Sequence, residues 1–135
     1  MTVSIPKELQ NFIPGKLAWV ATADQNDLPN VAPKGTIEVL DDQTLLFADI
    51  FSAKTSAALK QNPKVAVAVV DAAKPEGYQF KGEAELISSG PLFDQVVAGL
   101  KEKAPQLPAP ASVVKITVKE IYALTPGPEA GKKIA

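Results

Sequence analysis

Residues 44–70 have the pattern of a strand, a polar turn, a short helix and a second strand. The first part, TLLFADI, is apolar and follows the polar turn DDQ, so it predicts a buried strand. Ser52 and Thr55 are candidate N-caps of the helix, and Asn62-Pro63 predicts its end. The run KVAVAVV predicts the second strand. A helix N-terminus is therefore expected directly after a buried strand.

The start of this predicted helix is a candidate site for an anion. Backbone N–H groups at a helix N-terminus have no partner within the helix, and the helix dipole favours negative charge there. Lys54 adds a positive charge, and the hydroxyls of Ser52 and Thr55 add donors. The residues alone leave two interpretations open, a phosphate site or an ordinary N-cap beside a solvated lysine.

The composition excludes several kinds of active site. The chain of 135 residues contains no Cys and no His, which excludes Cys/His zinc sites and Ser-His-Asp or Cys-His catalysis. All 14 basic residues are lysines, so phosphate binding has to use lysine, hydroxyls and backbone N–H groups without the planar Arg fork. Acid–base chemistry would fall to Asp, Glu, Lys or Tyr, so in an enzyme a cofactor would carry the reaction.

Charge and hydropathy also restrict the partners. The net charge is -1 and no basic stripe occurs, which argues against nucleic acid or an anionic membrane surface as the main partner. No apolar run approaches the ~20 residues that span a bilayer. The first residues, MTVSIPKELQ, lack the long apolar stretch of a signal peptide. We therefore expect a cytoplasmic protein.

The chain as a whole predicts a mainly β domain with short helices. Strands are expected at residues 16–23, 30–40, 44–50, 64–70, 78–87 and 112–124, and helices at 5–13, 52–62 and from 91 onward. Pro33-Lys34-Gly35 interrupts the second strand, either as a bulge or as a place where backbone groups face a flat ligand. Tight turns favour antiparallel pairing, and six antiparallel strands favour a closed barrel. We expect one domain over residues 1–135, with a polar tail at 126–135.

Four further residues are assigned from their local pattern. Asp49 ends the buried strand and is interpreted as a turn-forming aspartate. Gly82 lies in the middle of a strand, where it indicates a kink in the barrel or the close approach of a ligand or another backbone. Trp19 and Phe12 are expected in the hydrophobic core.

Three motifs together resemble the pyridoxamine 5′-phosphate oxidase-like FMN-binding split barrels. They are NVAPKG, FADIF-x-x-KT with the Asn-Pro that follows it, and YQFKGEAEL. The resemblance extends over about residues 15–125 and is closest to the small single-domain flavoproteins. It implies a six-stranded antiparallel split β-barrel that forms a homodimer, with FMN in a cleft between the two subunits. The cofactor-binding residues that it implies are Pro33, Lys34, Gly35, Asp49, Ile50, Phe51, Ser52, Lys54, Thr55, Gln79 and Lys81.

The resemblance also assigns roles within this set. Lys54 and Thr55, together with Ser52, would bind the FMN phosphate, and residues 49–51 would lie along the flavin. Residues 33–35 would face the ring or the ribityl chain, with Lys34 in place of the arginine usual in the family. Gln79 and Lys81 would approach from the strand that contains Gly82.

The C-terminal tail separates this chain from the authentic oxidases. Those enzymes carry an Arg-rich substrate segment, whereas the tail TPGPEAGKKIA contains no Arg, so oxidation of pyridoxamine phosphate is not expected. The expected function is an FMN-dependent oxidoreductase or electron-transfer protein with a small-molecule redox partner. A non-catalytic flavin carrier or ligand sensor is the alternative. A deazaflavin or haem in the cleft is also open, although the absence of His and Cys argues against common haem ligation.

Overall fold

The computed structural model describes residues 2–135, which form seven strands and three short helices. The elements in chain order are α1 (Lys7–Phe12), β1 (Ala18–Ala23), β2 (Pro29–Lys34), β3 (Glu38–Asp41), β4 (Thr44–Ala48), α2 (Ala53–Gln61), β5 (Lys64–Asp71), β6 (Glu76–Ile87), α3 (Pro91–Lys103) and β7 (Val113–Ala123). Within residues 2–135 no helix is long and apolar enough to cross a membrane. The mainly β fold class expected from the sequence is confirmed.

All strands belong to one antiparallel sheet in the order β2-β1-β5-β6-β7-β4-β3. The two edge strands, β2 and β3, are consecutive in the chain, and residues 35–37 join them. The sheet therefore curls so far that a short connector spans its two edges. The barrel closes through this covalent connection instead of a hydrogen-bonded ladder.

The single interrupted strand expected at residues 30–40 is in fact two strands. β2 pairs with β1 as far as Lys34, opposite Ala18, whereas β3 starts its own ladder at Glu38, opposite Leu46 of β4. Pro33 has no N–H for a ladder, and Gly35 lets the chain turn away. The Pro-Lys-Gly break is thus the point where the chain crosses from one sheet edge to the other, and the strand count is seven instead of six.

The hydrophobic core fills the barrel. Side chains at alternate positions of the strands point inward, as in β1, where Ala18 and Val20 are buried. Phe47, Phe80 and other large side chains are fully enclosed, and α1 adds residues from one side. Burying such a side chain contributes roughly 1.5–3 kcal/mol. The inward-facing residues at the centre of the cluster are Leu9, Ile13, Val20, Leu45, Phe47, Val67, Val69, Phe80, Ile116 and Ile121.

One of the two aromatic residues expected in the core lies outside it. Phe12 is partly buried, packs against the core and meets Tyr78 edge-on at a centroid distance of 5.1 Å. Trp19 is 46% exposed, so its assignment to the core is wrong. Its neighbours Ala18 and Val20 face inward, and the period of two in a strand then turns Trp19 outward.

Gly82 marks a close approach of two backbones. The register between β6 and β7 shifts between Lys81 and Gly82, which is a β-bulge. A Cβ atom at Gly82 would lie 2.1 Å from the carbonyl oxygen of Thr117. Of the two interpretations of this glycine, the approach of another backbone is therefore confirmed, and it coincides with the bulge.

α3 and the C-terminal tail differ in how they contact the barrel. α3 follows Gly90, whose φ is 103°, and none of its residues is buried. The C-terminal tail, by contrast, pairs with β7: the N–H of Ile134 donates to the carbonyl of Ile121 at 2.7 Å, and Tyr122 bridges to Lys133. α3 thus covers the outside of the barrel with no buried residue, whereas the tail is hydrogen-bonded to β7.

Candidate functional site

The site centres on the turn at residues 49–52, between β4 and α2. Phe51 has a φ of 55°, a left-handed conformation that is uncommon for a bulky residue, and it is 86% exposed. Ser52 occupies the N-cap position but makes no side-chain cap hydrogen bond. Its hydroxyl instead donates to the carbonyl of Ile50 at 3.0 Å. Of the two candidate N-caps, Ser52 has the position, and Thr55 lies inside the first turn.

Lys34 brings its amino group into the interior beside this turn. The residue is only 6% exposed. Its Nζ donates to the carbonyl of Ile50 at 3.2 Å and to the hydroxyl of Ser52, and it lies 5.7 Å from the centre of the Phe47 ring. Burial lowers the pKa of the Lys34 ammonium below its ordinary value, and the negative charge of Asp49 partly opposes this change.

Asp49 is buried behind the same turn. Its carboxylate accepts hydrogen bonds from the hydroxyls of Ser56 in α2 and Ser112 before β7, the second at 3.3 Å. Its backbone N–H donates to the carbonyl of Ser112 at 2.9 Å. Asp49 thus starts the turn, as expected, and its carboxylate also fixes α2 and the start of β7 to the end of β4.

The turn separates two cavities. The larger, of about 740 Å³, brings together five of the residues expected at the cofactor site, namely Pro33, Lys34, Gly35, Ile50 and Phe51. The second, of about 460 Å³, is lined by residues 49–53 and by residues 108, 109 and 111 of the proline-rich segment. Cavities of ~300–1,000 Å³ are the usual size for small-molecule and cofactor sites.

The first turn of α2 provides the donors expected for an anion. Lys54 is exposed, and the backbone N–H groups of residues 53–55 have no partner within the helix. Thr55 is buried, and its hydroxyl accepts a hydrogen bond from the side-chain amide of Asn30 in β2 at 3.1 Å. Neither Lys54 nor Thr55 lines the 740 Å³ cavity. Asn30, which fixes β2 to α2, was not expected from the sequence.

Gln79 and Lys81 lie elsewhere, on the outer face of β6. Their cross-strand neighbours in β5 are Ala68 and Ala66, and the Nζ of Lys81 lies 4.9 Å from the centre of the Tyr122 ring. Neither residue lines a cavity beside the turn. These two residues are therefore separate in the structure from the other members of the expected site.

The sequence did not identify the residues that complete the large cavity. Ile37 and Val39 line one wall from the connector and β3, and Leu100, Lys103 and Leu107 line the opposite wall from α3 and the segment after it. A smaller cavity of about 360 Å³ continues between α3 and the β3–β4 edge. The apolar face of α3 was a usable signal for Leu100, but no local pattern indicates which surface that face covers.

The family model for pyridoxamine 5′-phosphate oxidase matches residues 5–125. This chain belongs to that family. The chain is also similar to an uncharacterized protein of Methanocaldococcus jannaschii, MJ0282, with 38% identity over 136 aligned residues, which cover 98% of this chain and 89% of the relative. The resemblance derived from the sequence motifs is thereby confirmed.

Several solved structures have the same fold. HupZ of Group A Streptococcus has a TM-score of 0.82 and 30% identity, and the match covers 94% of this chain and 99% of HupZ. An FMN-binding protein from Syntrophomonas wolfei has a TM-score of 0.73 and 21% identity, covering 87% and 82%. The haem storage protein HutZ of Vibrio cholerae has a TM-score of 0.68 and 18% identity, covering 90% and 95%. At the identities of the last two, the likeness concerns the fold alone.

Proposed function

We propose that this family member binds FMN beside the turn at residues 49–52 and acts as a flavin-dependent redox protein. The main support is that two kinds of surface meet at one turn. A large, mostly apolar cavity lies on one side, and a helix N-terminus with an exposed lysine lies next to it. A flat ring system with a phosphate on a flexible chain needs this combination.

The cavity fits the ring system in its size and in its lining. Its apolar walls come from the β2–β3 connector, from Ile50 and from the end of α3. The polar side chains that line it are few: Lys34, which is fixed by Ile50 and Ser52, together with Thr36, Glu38 and Lys103. Few, well-placed polar groups in an apolar cavity are typical of sites that orient a cofactor.

The first turn of α2 fits the phosphate. Lys54 supplies a free ammonium group, and the N–H groups of residues 53–55 supply fixed donors. The hydroxyl of Thr55 keeps a proton to donate, because it accepts the bond from Asn30. Lys54 and Thr55 would thus hold the phosphate, and the residues of the cavity would hold the ring.

The protein would influence the chemistry mainly through its charges. Bound FMN would supply the transfer of electrons or hydride, which no side chain of this His- and Cys-free protein provides. With FMN bound, the protonated form of Lys34 would stabilise negative charge that develops on the ring, and that charge would in turn favour protonation of this buried amine. α3 would exclude water from one side, because its C-terminal end covers the cavity.

We also propose that two copies associate through the outer face of β1, β2 and β5. Trp19 and Val31, which is 62% exposed, lie on this face, and Val70 is exposed on β5. A contiguous apolar surface of this kind is a common interaction site. Gln79 and Lys81 border the same face through their pairing with β5. In a dimer they would meet the partner subunit, which offers a role for the two expected residues outside the cavities.

The phosphate assignment is tested by comparing FMN with riboflavin, which lacks the phosphate. A charge-assisted contact contributes roughly 1.5–3 kcal/mol, so Lys54→Ala should weaken FMN binding about tenfold or more and leave riboflavin almost unchanged. Lys60→Ala is the matched control, since Lys60 is an exposed lysine in the last turn of the same helix. Equal losses for both ligands would reject the assignment.

The nature of the cofactor is tested by the visible spectrum of protein purified in the dark. The bands of oxidised flavin, with consumption of NAD(P)H by the loaded protein, would support a redox enzyme. Flavin bands that no physiological reductant removes would favour a carrier or sensor. A haem spectrum, or a deazaflavin spectrum, would overturn the assignment of FMN.

The proposed dimer is tested by sedimentation at micromolar concentration. The wild type should sediment near twice 14.2 kDa, and Val31→Glu should shift it toward the monomer because a charge would be buried in the apolar interface. Leu40→Glu is the control, since Leu40 is also exposed but lies on β3 at the opposite sheet edge. A wild-type monomer that still binds stoichiometric FMN would contradict the dimer.

A further inference from the structure

Lys34 has bonding capacity that the protein leaves unused. Both polar partners of its Nζ act as acceptors: the carbonyl of Ile50, and the hydroxyl of Ser52, whose own proton is donated to that same carbonyl. A neutral amine would give its two protons to these acceptors and keep its lone pair free. A protonated amine would have a third N–H, for which residues 2–135 provide no further acceptor.

The surroundings of Lys34 favour the neutral amine more than those of an exposed lysine. Burial lowers the pKa of its ammonium group, and Asp49 opposes this change with its negative charge. The other charged residues that line the same cavity are Glu38 of β3 and Lys103 of α3, which carry opposite charges. Buried lysines of this kind are the ones that react as nucleophiles with carbonyl groups.

We propose that Lys34 forms a reversible imine with a small apolar aldehyde in the 740 Å³ cavity. The apolar walls from Pro33, Ile37 and Leu100 select the uncharged part of such a ligand. The lone pair of Nζ attacks the carbonyl carbon and gives a carbinolamine. Loss of one water molecule then forms the C=N bond, so that no oxidant or reductant is consumed. Asp49 supplies the negative charge that would balance a protonated imine.

This proposal uses the same cavity as the flavin ring but does not rest on FMN binding. An aldehyde bound to Lys34 would occupy the space in front of Ile50 and Phe51. FMN and the aldehyde should therefore compete. Prior loading with FMN should protect Lys34 from the aldehyde, whereas Lys34 of FMN-free protein should react fully. The reaction of the FMN-free protein can be measured whether or not the protein binds FMN.

The test is reductive trapping with benzaldehyde and sodium cyanoborohydride, followed by mapping of the modified lysines by peptide mass spectrometry. Near neutral pH we expect one benzyl group per chain, on Lys34, formed about tenfold or more faster than on Lys16, because the cavity holds the aldehyde beside a lysine whose pKa is lowered by burial. Lys16 is the matched control. Its Nζ also donates to a backbone carbonyl, that of Phe12 at 3.0 Å, and also lies near an aromatic ring, 4.6 Å from the centre of the Phe12 ring, but Lys16 is not buried.

Two variants complete the experiment. Lys34→Met should abolish the fast modification, and Lys16→Met should leave it unchanged, with the circular dichroism of both variants recorded to verify folding. The preference for Lys34 should also decrease as the pH rises and the exposed lysines lose their protons. Modification spread evenly over the exposed lysines, or mapping that finds Lys34 unmodified in wild-type protein, would overturn the proposal.

Discussion

Replacing Gly82 by alanine should strongly destabilise the barrel, because the added methyl group has no room between β6 and β7. An alanine Cβ would lie 2.1 Å from the carbonyl oxygen of Thr117 and 3.2 Å from the Cα of Val118. Unstrained C···O contacts are roughly 3.3 Å or longer, so β6 and β7 would have to separate locally by about 1 Å. Both neighbours are backbone atoms, so no side chain can rotate away to relieve the contact.

The cost follows from this separation. Ladder hydrogen bonds near Gly82 would be stretched beyond useful length, and overpacking of this kind costs roughly 1–3 kcal/mol, occasionally more. We expect Gly82→Ala to lower the free energy of unfolding by about 3 kcal/mol and the melting temperature by roughly 10 °C. Urea denaturation followed by circular dichroism measures the first quantity, and a thermal scan measures the second.

Gly99 provides a control with the opposite sign. It lies inside α3, and a Cβ there would meet no atom within 4 Å. Gly99→Ala should therefore stabilise the protein by about 0.5–1 kcal/mol, because alanine favours the helix and restricts the unfolded chain. If Gly82→Ala lowered the free energy of unfolding no more than Gly99→Ala does, the tight contact between β6 and β7 would be refuted.

Two further predictions concern the charge of Lys34 and the oxidation of pyridoxamine phosphate. Lys34→Met should be more stable than the wild type near neutral pH, because Met carries no charge to desolvate and Ile50 keeps the bond from Ser52. Folding lowers the pKa of Lys34, so between that pKa and 10.5 the unfolded state binds more protons than the folded state. The free energy of unfolding of the wild type should therefore rise with pH over this range. The difference in stability between Lys34→Met and the wild type should shrink accordingly in urea titrations at alkaline pH. Pyridoxamine phosphate should not reduce the flavin of the FMN-loaded protein at ~1 per second or faster, measured in stopped flow as bleaching of the flavin absorbance. The reason is that the chain contains no Arg to bind a second phosphate bidentately. Bleaching at such a rate would contradict this prediction.

Local sequence patterns were sufficient for most individual elements of the fold. The strand, turn, helix and strand of residues 44–70 correspond to β4, α2 and β5, because apolar runs and the Asn-Pro stop act within a few residues. The separation of β2 from β3 was not predicted. Pro33 and Gly35 indicate a break, but which edge the chain reaches after Lys34 depends on pairing with the distant β4.

For the candidate site, the sequence indicated the residues of the motifs but not the tertiary contacts around them. The motif residues expected at the site were identified from the sequence, and five of them line one cavity. The burial of Lys34 and the exposure of Trp19 could not be predicted, because each depends on which face of a strand points inward. Leu100 and Lys103 were missed since α3 reaches the cavity through tertiary packing alone.

The order of strands in the sheet also determines how the chain must fold. The β1–β2, β3–β4 and β5–β6 ladders join strands that are adjacent in sequence, so each can form as a hairpin. The β1–β5 and β4–β7 ladders instead bring together strands separated by several other elements. Closing such long loops costs chain entropy before contacts repay it, which slows folding. The hairpins should therefore precede the two long-range ladders, and the cavity at residues 33–51 should be completed last.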